Sequence, residues 1–144
     1  MNRVLVIVLF AAMFSLPAAA RDTTHYLSIS EALNSEAYQG RLDSDIKLYF
    51  GKQTHGAVSA NHGNFVTNRK TNAFGKSDQK ACEWALLSAL LVLQERARNE
   101  GGNAVVNIAS YFKKNEYVSD TQYECHAGAV MAGVALKGDV VTID

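Results

Sequence analysis

SDQKACEWALLSALLVLQERARNEGG, residues 77–102, decides the fold. Ser77 is a natural N-cap, and Asp78 suits the positive end of a helix dipole. Gly101-Gly102 is a stop signal. The spacing predicts one long helix ending near Glu100. At 100° per residue, Cys82, Leu86, Ala89, Leu90, Leu93 and Ala97 share one face. Trp84, Leu87 and Leu91 form a second apolar stripe, with Glu83 and Gln94 between the two on one side. A helix lying on a single sheet needs only one apolar face. The second stripe therefore calls for another cover. The N-terminal segment is the expected one, and a second subunit is the alternative.

Outward from the helix the chain reads as strands. Asn103–Phe112 is one, with Ala104–Ile108 as its buried part, and Lys113–Gln122 is a polar hairpin connection. Tyr123–Lys137 reads as a last long strand. Strict alternation puts Cys125, Ala127, Ala129, Met131, Gly133 and Ala135 on one side, where small residues let the helix approach closely. Val130, Val134 and Leu136 fall on the other, so the sheet is expected to be covered on both faces. Before the helix, Ile46–Phe50 is a strand ended by Gly51. Ala57–Ala60 and Asn64–Thr67 are extended pieces around a turn or bulge at Asn61-His62-Gly63, and Asn68–Lys76 reads as a polar loop. Asp22–Gly40 begins polar and then suits a short helix capped by Ser28 or Ser30, with Ile29, Ala32 and Leu33 on its apolar side. The expected class is α+β: an antiparallel sheet packed against one long helix, with a short N-terminal helix.

The first twenty residues set the expected compartment. Arg3 precedes an uncharged apolar run, Val4–Leu16, and Pro17-Ala18-Ala19-Ala20 offers the small residues that a signal peptidase accepts. The run is about thirteen residues, short of the roughly twenty that a spanning helix needs. Cleavage after Ala20 is expected, leaving residues 21–144 as one domain in the periplasm or secreted. No Cys near that site offers a lipid anchor. Cys82 and Cys125 are an even pair in an oxidising compartment and read as one disulfide, closing a loop of about 44 residues.

The 144-residue chain has 14 basic and 14 acidic residues. Arg3 is the only charge in the leader, so the mature balance is 13 against 14 and nothing global points to nucleic acid. The distribution is uneven. Ile46–Ser77 contains no Asp or Glu but holds Lys47, Lys52, Arg69, Lys70 and Lys76. With Lys113, Lys114 and Tyr117 of the hairpin, the residues Lys52, Arg69, Lys70 and Lys76 make the candidate surface for an anionic partner. Four His and two Cys show no C-x-x-C or H-x-x-x-H spacing, so no metal ligand set is assigned. On a strand, Cys125 and His126 point to opposite faces, which separates the nearest His from a reactive thiol. There is no phosphate-binding G-x-x-x-x-G-K-[ST] loop and no G-x-S-x-G elbow. No catalytic residue and no cofactor is assigned.

The helix closing on Gly101-Gly102-Asn103-Ala104-Val105-Val106, followed by a strand, a hairpin and the small-residue run Cys125–Leu136, resembles the YbjQ/RcsF-like fold group. The likeness covers Ser77–Lys137. It implies an antiparallel sheet carrying a long helix, with a disulfide holding the last strand. It also implies two functional expectations. One is a non-enzymatic interaction module of the envelope, as in the stress-sensing members, whose partner is an envelope protein or an anionic envelope component. The other is a metal- or small-ligand-binding homo-oligomer, as in the cytoplasmic members. The sensors carry a lipid anchor and a second disulfide, and Met131 stands where one of those cysteines would align. Asn68–Leu93 and Tyr123–Val141 also resemble small exported bacterial proteins often labelled "excinuclease ATPase subunit". That label conflicts with a chain that has a secretion signal and no phosphate loop.

Overall fold

The computed structural model describes residues 20–144. The leader expectation falls on residues 1–19 and lies outside them. In chain order the elements are β1 Thr23–Ser28, α1 Ile29–Leu33, a 3-10 turn Glu36–Tyr38, β2 Lys47–Phe50, β3 Val58–Asn72, α2 Asp78–Glu100, β4 Ala104–Phe112, β5 Asn115–Tyr117, β6 Gln122–Ala127 and β7 Met131–Ile143. The chain is α+β, a seven-stranded sheet packed against one long helix.

Local chemistry sets the helix ends. The Ser77 hydroxyl accepts from the Lys80 N–H at 3.2 Å. At the far end Gly101 takes φ 82°, a left-handed conformation that glycine adopts without steric cost, and Gly102 N–H closes on the Ala97 carbonyl at 2.8 Å. All six residues of the expected core face are at most 1% exposed. Burying a Leu contributes about 2 kcal/mol, so Leu86, Leu90 and Leu93 alone outweigh any capping term.

Strand β7 is the spine of the sheet. Along one side it pairs antiparallel with β3, from Val58↔Ile143 to Asn72↔Met131. Along the other it pairs first with β6 and then with β4. Beyond β6 lies β1, also antiparallel. Beyond β4 lie β5 and β2, and the β2–β4 pair is parallel. The sheet is thus mostly antiparallel with one parallel pair, because the chain between β2 and β4 makes a long excursion through β3 and α2. On the helix side of β7, Gly138 leaves room for its neighbours; a Cβ there would meet Val105 Cγ1 at 2.6 Å.

Four expectations need correction. Residues 123–137 are two strands, because the chain turns at Gly128–Val130, where the Gly128 N–H donates to the Met131 carbonyl at 2.8 Å. The turn changes the phase of the alternation. Ala132, Val134 and Leu136 join Cys125 and Ala127 in the core under the helix, and Gly133 and Ala135 face the other way. That second face is not covered by a helix. It carries a small cluster of Ala104, Val106 and Val141, packed with Tyr49 and Ile143. Asn68–Asn72 is not loop but the end of β3, its polar side chains lying on an edge strand that backbone pairing with β7 holds in place. The bulge at Asn61–Gly63 is present inside that single strand. Finally, Thr23–Ser28 is an edge strand rather than a polar lead-in. Its sequence shows no apolar alternation, and its pairing with β6 is long-range. The short helix follows it, capped by the Ser28 hydroxyl on the Glu31 N–H.

Gln94, read from the sequence as a separator of the two stripes, is a docking residue. It is buried, its Oε1 accepts from the Asp43 N–H, and its Nε2 donates to the carbonyls of Asp43 and Ile46, each at 2.9 Å. These bonds dock the segment before β2 onto α2, and Arg98 pairs with Asp43 beside them.

Candidate functional site

Cys82 and Cys125 are bonded, with Cα atoms 5.9 Å apart. The staple joins the first turns of α2 to the middle of β6. Around it the N-terminal strand is tied to the same helix end. Arg21 grips Asp78 with two nitrogens, at 2.8 and 2.9 Å, and also donates to the Gly128 carbonyl at 2.9 Å. His25 Nε2 lies 2.8 Å from the same carboxylate. The Arg21 hydrogen bond, and after it that of His25, hold the Asp78 carboxyl far below the usual carboxylate range. Tyr123 lies on the helix side of β6 with its hydroxyl buried and unpartnered, and burial raises its pKa.

The other face of β6 opens on a depression of about 400 Å³, lined among others by Arg21, Lys70, Phe112, His126, Met131 and Gly133. It lies where the end of β3, the tip of β4 and the β6–β7 turn converge. Gly133 keeps its floor low. The Phe112 ring stacks on the His126 ring with centroids 3.4 Å apart and planes 16° from parallel. The Lys113 ammonium sits 5.4 Å over the same Phe112 ring. His126 Nδ1 is 3.4 Å from Asp22 Oδ1 and 3.4 Å from Thr24 Oγ1. Its Nε2 is 3.3 Å from Glu124 Oε2, off the direction that a hydrogen bond needs. Lys113 and Lys114 form the two central positions of the β4–β5 turn with φ 50° and 64°. Two-residue hairpins prefer Asn-Gly at these positions. Lysines there are strained, and Lys113 sets its ammonium over Phe112, which lines the depression.

Further along the same end, three large apolar side chains stand in solvent: Phe74 is 76% exposed, Val130 61% and Met131 45%. Their loops are tied together, since the Ala73 N–H donates to the Val130 carbonyl at 2.7 Å and Asn72 pairs with Met131. Lys76 closes the turn that carries Phe74, its ammonium donating to the Asn72 carbonyl at 3.0 Å.

The candidate surface therefore divides. Lys70, Lys76, Lys113 and Lys114 gather at this end. Lys52 does not join them: its backbone is bonded to Asp120, before the start of β6. Arg69 points to the helix side, with Nε 3.4 Å from Ser88 Oγ. Tyr117 packs on Tyr26, ring centroids 4.7 Å apart, and donates to Gln122. Sequence reasoning placed His126 away from Cys125 but had no signal for its stack on Phe112, which is a long-range contact. The second helix stripe is also divided. Leu87 is buried, Trp84 is half-buried beneath the Arg41 guanidinium at 4.9 Å, and Leu91 is exposed. The Tyr38 hydroxyl, donating to the Glu83 carbonyl, anchors the N-terminal segment beside this stripe.

Among the described residues no group of three or more His, Cys, Asp or Glu is placed to hold a metal ion, and no helix is long and apolar enough to cross a membrane. Fold and site together define a disulfide-stapled α+β domain with an open, cation-rimmed sheet end. Comparison with family models, curated proteins and solved structures finds no match for this chain.

Proposed function

We propose that this protein is a non-enzymatic binding module of an oxidising compartment outside the cytoplasm, the periplasm or beyond, and that it engages an envelope component through the end of the sheet around Phe112 and His126. The observation that carries this reading is the convergence of Lys70 and Lys113 on the Phe112–His126 stack, beside apolar side chains left in solvent. Aromatic rings flanked by cations suit recognition of an anionic partner, and large exposed apolar groups gathered at one place mark interaction surfaces. The Cys82–Cys125 bond and the leader pattern support the compartment. A long helix stapled to an antiparallel sheet is also what the resemblance to the YbjQ/RcsF-like group implies, although the resemblance placed the staple on the last strand and Cys125 lies on β6, the strand before it.

The test is retention from a detergent-solubilised envelope fraction by immobilised wild type and by Lys70→Glu/Lys113→Glu. An envelope component held by the wild type and released by the variant is the expected result. An identical set retained by both would rule this surface out.

A further inference from the structure

We infer that the partner of this end is the surface of an anionic lipid bilayer, met by Phe74, Val130 and Met131 with Lys70 and Lys76 beside them; this rests on the binding-module reading above and names its partner.

Two observations carry it. First, the apolar groups are presented at loop tips rather than spread over a flat patch. Phe74 sits in a four-residue turn whose Gly75 takes φ 72°, with Phe74 N–H held by Asn72 Oδ1 at 2.8 Å. Val130 sits at the tip of the β6–β7 turn, and the Ala73–Val130 bond sets the two tips side by side. Paired rigid tips suit insertion among headgroups, where an aromatic ring and a branched side chain lose water without needing a matching groove. Second, the charges around the tips are complementary to anionic headgroups. Lys70 lines the depression with Val130 and Met131, Lys76 closes the turn that carries Phe74, and Lys113 lies over Phe112 of the same depression. The acids nearby are Asp22, Asp78 and Glu124; Asp78 is neutralised by Arg21, and Glu124 lies beside His126. Asp22 is the one opposing exposed carboxylate, its side chain 58% exposed.

The experiment is flotation of purified protein, its N-terminus at Arg21 verified by mass spectrometry, with vesicles of phosphatidylcholine alone or mixed equally with phosphatidylglycerol. Wild type should float with the anionic vesicles and remain at the bottom with the neutral ones. Phe74→Ser should lower the partition coefficient by about tenfold or more, as loss of a buried aromatic ring requires. Lys70→Gln/Lys76→Gln should lower it about thirtyfold at low salt, at roughly fivefold for each lysine near an anionic surface. All of these side chains are exposed, and each variant is to be checked for a full complement of blocked thiols and an unchanged far-ultraviolet spectrum. Failure of the wild type to float with anionic vesicles, or equal flotation by both variants, overturns the proposal. If flotation fails while Lys70→Glu/Lys113→Glu still releases a protein partner from the envelope fraction, the lipid assignment falls and the binding-module reading stands; if both fail, both fall.

Discussion

The two faces of the sheet are made from the same strands, by an alternation interrupted at bulges in β3 and β4, yet they are built to opposite ends. Beneath α2 the side chains are Val105, Ile108, Cys125, Ala127, Val134, Leu136 and Val140, all but inaccessible to water. On the opposite face the neighbours of those residues form polar pairs. Asn64 and Asn107 both donate to Asp139, at 2.9 and 2.8 Å, and Lys137 meets Glu116 at 2.7 Å, a hydrogen bond that raises the ammonium above its ordinary pKa. One face holds the fold together. Outside its small buried cluster of Ala104, Val106 and Val141, the other can change its residues with little effect on stability, and that freedom is where recognition chemistry is accommodated.

The comparison breaks most directly at a core leucine. Leu90→Ala should lower unfolding free energy by about 2–5 kcal/mol, the range for a cavity in a packed core, whereas Val66→Ala on exposed β3 should change it by less than about 0.5 kcal/mol. Urea titration of both variants checks this. Similar losses from the two would mean that the open face is covered by something else in solution. The staple comes next. Cys82→Ala/Cys125→Ala should cost about 3–4 kcal/mol by loss of loop-closure constraint, seen as a lower urea midpoint that dithiothreitol no longer shifts. A wild-type midpoint unmoved by reductant would remove the disulfide from the account of the closed face.

The same contrast explains what was legible in the sequence. The closed face follows local rules. A cap at Ser77, a stop at Gly101 and a heptad-like apolar stripe delivered α2 within a residue at each end, and Cys82 on that stripe delivered its bond to Cys125. The open face follows long-range pairing. Nothing local distinguishes Asn68–Asn72 from a loop, because its strand character comes from β7. The turn at Gly128–Val130 lacks the Asn-Gly or Pro signal that would have marked it, and missing it reversed the phase of every residue after it. Gln94 read only as a separator of two apolar stripes because its three partners are backbone groups of a distant segment. The depression was invisible for the same reason: Phe112, His126 and Lys70 come from three strands.

A smaller effect sharpens the comparison at the β4–β5 turn. Lys113 and Lys114 each hold a positive φ that costs an ordinary residue about 1 kcal/mol, while the Lys113–Phe112 contact returns about 0.5–1 kcal/mol at an exposed site. Lys113→Asn/Lys114→Gly should therefore stabilise the protein by about 1 kcal/mol net, measured by urea titration, while weakening capture of the anionic partner. A residue pair that lowers stability and raises binding is what a recognition element on the open face predicts. A variant that loses stability would instead make the turn part of the scaffold.

The smallest effect lies where the two faces are joined. Arg21 bonds Asp78 at the start of α2 and the Gly128 carbonyl at the turn that shapes the depression, so one guanidinium links the closed side to the open one. The Asp78 carboxyl has its pKa lowered in the folded state, from about 3.9 when unfolded. Folding thus favours its ionised form. That contribution is complete above pH 4 and disappears as pH falls through the lower folded value. Asp78→Asn should be less stable than wild type at neutral pH, and the gap should narrow steadily in acid. Because the carboxylate is a quarter exposed, molar salt should narrow the gap as well. Amide exchange at Gly128 and Met131 reads the other half of the link. Faster exchange there in Asp78→Asn, with the Leu90 amide unchanged, would show that the ion pair orders the depression rather than the core. Unchanged exchange at all three would leave Asp78 with its place in the first turn of the helix alone.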